Sequence, residues 1–348
     1  MSSSEPLHVA DQGFFYVGLS REVRPYGTAI AGQMHVQYQV PADLRHRYPI
    51  VMVHGGGGQG LDYLGTPDGR QGWASIFLRE GFAVYVVDRP GMGRSPYHAD
   101  LLGPSTPPPT LQGLVAGFAA PGRSGVPYPQ ARLHNKWPGT GLEGDPALDQ
   151  LMASQEPLLL DMALTQEGMT RGGVELVDRI GPAILLTHSM GAPFGWLVAD
   201  RRPAGVRAIV AVEPLGPAFA DLPGIGALPW GLTSVPINFA PPAGRPSELR
   251  TVVRRAPGAD LLDCTVQEEP ARQLLNLRGI PIAVVTAEAS WHAQVDWGVV
   301  DFLAQAGATV EHLRLEAHGI HGNGHLMMLE KNNAEIAALL AEWIADNG

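Results

Sequence analysis

Ala183-Ile184-Leu185-Leu186-Thr187-His188-Ser189-Met190-Gly191 is the stretch that decides the fold. An apolar run of strand type delivers a serine into a turn bordered by small residues, and helical spacing resumes from Ala192 to Arg201. Strand, tight turn and helix in that order form the setting of a nucleophile elbow, in which a strained backbone exposes the serine hydroxyl. The usual pattern is Gly-x-Ser-x-Gly, and Thr187 stands where the first glycine would be, so the match is partial. Alone, the stretch reads more readily as an ordinary strand-to-helix turn with a capping serine. Its company has to decide.

Upstream, Gly13 to Gly18 and Gln33 to Val40 read as two strands of an antiparallel entry, the second alternating Met34, Val36, Tyr38 and Val40. Ile50-Val51-Met52-Val53 is a continuous apolar strand, Gly72 to Glu80 has helical spacing, and Ala83 to Val87 is another buried strand. Downstream, one or two helices are expected within Ala147 to Ile180, followed by strands at Val206 to Val212, Ile280 to Thr286 and Val310 to Leu315. Helices are expected over Val295 to Ala306 and Asn333 to Ile344. The alternation predicts an α/β fold: one domain around a mostly parallel, doubly wound sheet with antiparallel N-terminal strands. Two stretches rich in Pro and Gly, about 96–146 and 214–278, interrupt it and are expected to form cap-like insertions over the active face.

With 45% apolar and 17% charged residues among 348, the composition is that of a globular protein. No run approaches the roughly 18 apolar residues that would span a bilayer. A net charge of −10, from 24 basic and 34 acidic side chains, disfavours nucleic acid and anionic membranes as partners. One cysteine, Cys264, excludes internal disulfides and multi-cysteine metal sites. Because the chain starts without a signal-like segment, the expected address is the cytoplasm. No cofactor and no metal are expected, and a homodimer is allowed without being specified.

In a parallel sheet, function gathers at the carboxyl ends of the strands. His54 with its glycines, Asp88, Ser189, Glu213, Glu288 and His325 each follow a strand. Acyl transfer by a serine needs an imidazole base, a carboxylate to hold that imidazole in the right tautomer, and backbone donors for the oxyanion. His318, His321 and His325 compete for the base, and the position of His325 on a short loop before the last helix favours it. Glu213 and Glu288 remain open as the acid. His54-Gly55-Gly56-Gly57-Gly58 offers a loop without β-carbons for the oxyanion hole, with the Met190 amide as second donor. It lacks the Lys-Ser/Thr ending of a phosphate loop. His54 itself is expected to make structural hydrogen bonds.

Through His54-Gly55-Gly56-Gly57, Asp88-Arg89-Pro90-Gly91-Met92-Gly93-Arg94-Ser95, the elbow and His325, the chain resembles the α/β-hydrolase superfamily over nearly its whole length. Thr66-Pro67-Asp68-Gly69-Arg70, Val212-Glu213-Pro214 and His321-Gly322-Asn323-Gly324-His325-Leu326-Met327-Met328 look like a small group of bacterial serine esterases. In that group the glutamate of the Val-Glu-Pro segment is the triad acid. The resemblance therefore implies Ser189 as nucleophile, His325 as base and Glu213 as acid, with oxyanion amides around Gly56 and Gly57 and at Met190. A relative in that group carries cysteines at the positions of Gly56 and Gly57, so properties tied to those thiols do not transfer.

The expected activity is hydrolysis of a carboxylic ester or lactone through an acyl-enzyme, on a neutral and rather hydrophobic small molecule. Trp137, Trp230, Phe239 and Trp291 are the candidates for its apolar pocket. Carbon-carbon bond hydrolysis, thioester hydrolysis and acyl transfer use the same triad. A non-catalytic binding protein on this fold is the remaining alternative. Dehalogenase and epoxide-hydrolase chemistry are disfavoured, since those relatives use an aspartate where Ser189 stands.

Overall fold

The computed structural model describes residues 6–123, 125 and 128–348. Eight strands form the central sheet: β1 (Val9–Val17), β2 (Met34–Pro41), β3 (Ile50–Val53), β4 (Val84–Asp88), β5 (Ala183–His188), β6 (Val206–Val212), β7 (Pro281–Thr286) and β8 (Thr309–Arg314). Their spatial order is β1-β2-β4-β3-β5-β6-β7-β8. The first two strands run antiparallel to their neighbours and the remaining pairs are parallel. Every residue of β3 and β5 is buried, as expected of strands covered on both faces.

Helices α1 (Trp73–Arg79), α2 (Pro146–Ser154), α3 (Met162–Ile180), α4 (Ala192–Arg201), α5 (Asp296–Gln305) and α6 (Asn333–Asn347) cover the sheet. One core packs Leu176 and Val177 of α3, Phe194 and Leu197 of α4 and Phe302 of α5 against one side of the sheet. A second packs Trp73 and Phe77 of α1, Leu148 of α2 and Ile336 and Leu340 of α6 against the other. The chain between 147 and 180 thus makes two helices. Both interrupting stretches carry short elements of their own, among them the paired strands Asp221–Leu222 with Gly226–Ala227 and Thr251–Arg254 with Cys264–Gln267. A further hairpin, Ser20–Arg24 with Gly27–Ala31, precedes β2.

Register is what assembles the site. Val53 pairs with Thr187, His188 with Val212, and Val285 with Val212, so four adjacent strands end at nearly one level. His54, Ser189 and Glu213 leave the sheet side by side as a direct result. Gly195 on the following helix packs against Ile209 and the threonine at the first elbow position. A methyl there would come 3.2 Å from Ile209 Cγ2 and 3.5 Å from Thr187 Cγ2. Gly191 has the stricter constraint, because a β-carbon would lie 2.5 Å from the His54 carbonyl oxygen and 2.9 Å from that of Val53.

Candidate active site

Ser189 sits at the tip of the turn with φ of 50°, a left-handed conformation that costs a non-glycine residue about 1–2 kcal/mol. Its carbonyl accepts the Leu215 amide at 3.0 Å, tying the elbow to the loop after β6. Glu213, first residue beyond β6, is also left-handed, with φ of 41°. Two strained positions on neighbouring strand ends mark a place where surrounding contacts over-determine the backbone.

The Glu213 carboxyl is completely buried and accepts three hydrogen bonds. Oε1 takes the Ala287 amide at 2.8 Å, while Oε2 takes the Ser290 hydroxyl at 2.7 Å and His325 Nδ1 at 2.5 Å. Burial raises its pKa, with the His292 charge, Ser290 and the Ala287 amide pulling the other way. His325 is 4% exposed. Burial, and then the His292 charge, hold its imidazole well below the ordinary value, so it is neutral near pH 7. With Nδ1 donating to Glu213, Nε2 is left as the acceptor. Ser189 and His325 line one cavity of about 210 Å³.

A second imidazole–carboxylate pair lies against the first. The His292 ring is parallel to that of His325, 7° apart in plane with centroids 4.9 Å apart. Its Nδ1 bonds Asp296 Oδ1 at 2.8 Å, and Asp296 Oδ2 accepts from Thr286 at 2.7 Å. Burial works against protonation of His292, yet the Asp296 charge and hydrogen bond prevail and raise its pKa. Trp291 lies against His325, with centroids 4.4 Å apart and ring planes tilted by 35°. Glu213, His292 and His325 bring ligand-type atoms within 4.8 Å of one another. The hydrogen bonds within the two pairs already engage these groups.

The glycine loop is held from beneath. His54 Nε2 accepts the Arg89 amide at 3.0 Å, which leaves the proton on Nδ1, and Nδ1 donates to the Gly55 carbonyl at 2.9 Å. Burial, and then the Arg89 charge, lower the His54 pKa to about 3, so the neutral tautomer persists. The Arg89 guanidinium donates to the same carbonyl at 2.7 Å and, more weakly, to that of Met190 at 3.4 Å. In a trans peptide, C=O and N–H point in opposite directions. Anchoring the Gly55 oxygen therefore aims the Gly56 amide the other way. Arg89 is buried, which lowers its pKa to about 10.

The loop carrying His325 is fixed by residues remote in sequence. Arg70, ion-paired with Asp68 at 2.7 Å, donates to the carbonyls of Leu329, Glu330 and Lys331 and to Asn333. Buried Glu330 accepts from His134 at 2.6 Å, Asn323 at 2.7 Å and the Gly324 amide at 3.0 Å. His188 Nε2 meets the His325 carbonyl at 3.0 Å. Asp88 serves the neighbouring loop, accepting the Gly60 amide at 2.6 Å and Arg94 Nε at 2.6 Å.

The other sequence candidates are placed as follows. Glu288 and His321 meet each other, at 3.2 Å, and the His321 side chain is 60% exposed; His318 is exposed as well. Gly56 and Met190 line the cavity, and a β-carbon on Gly56 would collide with the Met190 sulfur. Gly57 is not among the lining residues; its φ is 69°, and its carbonyl accepts the Glu156 amide at 2.7 Å. Of the four aromatic pocket candidates only Trp291 lines the cavity. Trp137, Trp230 and Phe239 are corrected to core positions. Trp230 and Phe239 pack with Leu232, Val235 and Ile237, and Trp137 is buried with its indole donating to Asp145 at 2.9 Å. The apolar lining also includes Phe118, Leu158, Leu215, Leu222 and Ile225, which sequence reasoning did not place in the pocket. Arg89, Asp62 and the His292–Asp296 pair were missed too. The i, i+4 spacing of His292 and Asp296 offered a signal, as did the place of Arg89 in the Asp88-to-Ser95 motif, while Asp62 had none.

No family model matches the chain. It is 41% identical over 340 residues to the probable secreted lipase phiG of Fungal sp. (strain ATCC 74256), covering 95% of this chain and 88% of the relative. A solved structure described as a novel bacterial esterase superposes with a TM-score of 0.66 at 25% identity, covering 100% of this chain and 99% of the other. Naproxen esterase from Bacillus subtilis is a more distant likeness, at 13% identity and a TM-score of 0.43 over 97% of this chain and 92% of its own. The cytoplasmic expectation is corrected: the lipase relative is named as secreted, and the character of a chain's first residues is a weak guide to its address. Sheet order, elbow and relatives agree that the chain belongs to the α/β-hydrolase superfamily, as one of its serine carboxylic ester hydrolases.

Proposed function

We propose that Ser189 attacks the carbonyl carbon of a small, neutral and rather hydrophobic ester or lactone, with His325 as base and Glu213 as its orienting acid. The observation that carries this reading is the 2.5 Å bond from His325 Nδ1 to Glu213 beside a cavity that Ser189 also lines. His325 Nε2 takes the hydroxyl proton as Oγ bonds to carbon, and the resulting oxyanion is received by the amides of Gly56 and Met190. Collapse breaks the bond to the alkoxy oxygen, which leaves with the proton from His325. Water, deprotonated by the same imidazole, then releases the acid from the serine.

A cavity of about 210 Å³ favours a short substrate, below the usual range of roughly 300–1,000 Å³ for ligand pockets. Phe118 of the stretch 96–146 and Leu215, Leu222 and Ile225 of the stretch 214–278 line it, which supports a cap role for both insertions. The secreted relative supports an address outside the cytoplasm.

The test is a panel of linear esters of increasing acyl length together with lactones of several ring sizes, read by product mass. Turnover should concentrate on short acyl chains and vanish in Ser189→Ala. Turnover of no member, or an unchanged rate in Ser189→Ala, would overturn the reading.

A further inference from the structure

One wall of the cavity carries polar groups that the hydrolytic steps do not use. Asp62 is 6% exposed and lines the cavity together with Gln155. The two side chains converge on successive residues of the glycine loop. A β-carbon on Gly58 would collide with Asp62 Oδ2, and one on Gly57 would lie 3.0 Å from Gln155 Oε1. Among the described residues no side chain hydrogen-bonds the Asp62 carboxyl or the Gln155 carboxamide. The apolar residues Leu215, Leu222 and Ile225 also line the cavity. The Asp62 carboxyl takes a hydrogen bond from the Gln59 backbone amide, which leaves further acceptor positions, and a donor when protonated, for a ligand group beside the elbow.

We propose that Asp62 and Gln155 form a hydrogen-bonding subsite that selects substrates carrying a hydroxyl group on the ester or lactone. The proposal rests on the serine-hydrolase reading of this cavity and names its substrate class more closely. Burial raises the Asp62 carboxyl to about 7, against the pull of the Gln59 amide, so near neutral pH it both donates and accepts. The carboxamide does the same, and a hydroxyl answers both. An ammonium group fits less well, because the buried Arg89 already places a positive charge within electrostatic reach of Asp62. A carboxylate would meet a like charge whenever Asp62 ionises.

The experiment uses matched pairs of short esters that differ by one hydroxyl, moved in turn along the acyl and the alcohol portions, with amino analogues as a third series. The readout is the ratio of kcat/KM within each pair, for the wild type, Asp62→Asn and Asp62→Leu. At one position or more, the wild type should prefer the hydroxylated member by at least about tenfold, and Asp62→Leu should lose that preference. Asp62→Asn, close in size and still polar, should keep part of it and decides the matter if the leucine variant does not fold. The proposal is overturned if no position gives a preference, if both variants keep it in full, or if the amino series is preferred instead. Labelling of Ser189 by a fluorophosphonate reports separately on the catalytic centre. A wild type that takes neither label nor ester fails at the hydrolase reading, before the subsite is in question.

Discussion

Replacing Glu213 by glutamine keeps the side chain's size and turns one acceptor atom into a donor. The amide has two orientations. With NH₂ toward Ala287 it faces a backbone N–H across the present 2.8 Å contact, leaving a buried donor unmet at a cost of about 1–3 kcal/mol. With NH₂ toward His325 it keeps the Ala287 bond but confronts Nδ1–H across the present 2.5 Å contact. The imidazole relieves that conflict by moving its proton to Nε2, where it can no longer accept from Ser189. The second arrangement is the better one, and it holds the wrong tautomer. A loss of about 10⁴ in kcat is expected by analogy with the acid-to-amide change in serine proteases, equivalent to roughly 5.5 kcal/mol of transition-state stabilisation. The assay is turnover of a chromogenic short-chain ester, with Glu288→Gln as the comparison. Glu288 is partly buried and away from the cavity, where it accepts the Gly322 amide at 2.9 Å and pairs with the exposed His321, so its loss should cost less than about tenfold. The reasoning is refuted if Glu213→Gln keeps its rate within tenfold while Glu288→Gln loses it.

Burial lowers the His325 pKa, and the active form of a base is the neutral one. The acid limb of kcat/KM should therefore lie below pH 6.5, and His292→Gln, by removing a neighbouring charge, should move it upward; a limb at or above 6.5 in the wild type contradicts the assignment. In Arg89→Met the Gly55 carbonyl keeps only its His54 donor, so kcat should fall about 10- to 100-fold with little change in KM. Urea stability should hold nearly constant there, because removing a buried cation also removes its desolvation cost. An unchanged kcat would show that Arg89 does not position the oxyanion loop. Gly191→Ala should lower the urea midpoint by the equivalent of about 1–3 kcal/mol, since the atoms its methyl meets are backbone oxygens that cannot swing aside. An unshifted midpoint would deny that close approach.

Much of the sheet was legible because its strands are largely apolar runs rich in β-branched residues. Ile50–Val53 and Val206–Val212 lie where the pattern puts them, and helix α4 begins where the elbow requires. The hairpin Ser20–Arg24 with Gly27–Ala31 escaped notice because it buries little, with Val23 83% exposed. The paired strands at 221–227 are two residues each, too short for any period to show. Around the site, groups that follow strands were visible as strand endings. Those that act through space were not: Arg89 reaches the Gly55 carbonyl 34 residues away, and Arg70 holds carbonyls some 260 residues downstream. Aromatic residues of the insertions misled for a physical reason. Large rings such as Trp230 and Phe239 stabilise most when fully packed, and the cavity is lined instead by leucine, isoleucine and Phe118.

The most direct measurement is the intact mass of the protein after incubation with a fluorophosphonate, followed by peptide mapping. The account predicts one adduct, on the peptide that contains Ser189, and none in Ser189→Ala. An unmodified protein, or an adduct on another residue, would contradict it.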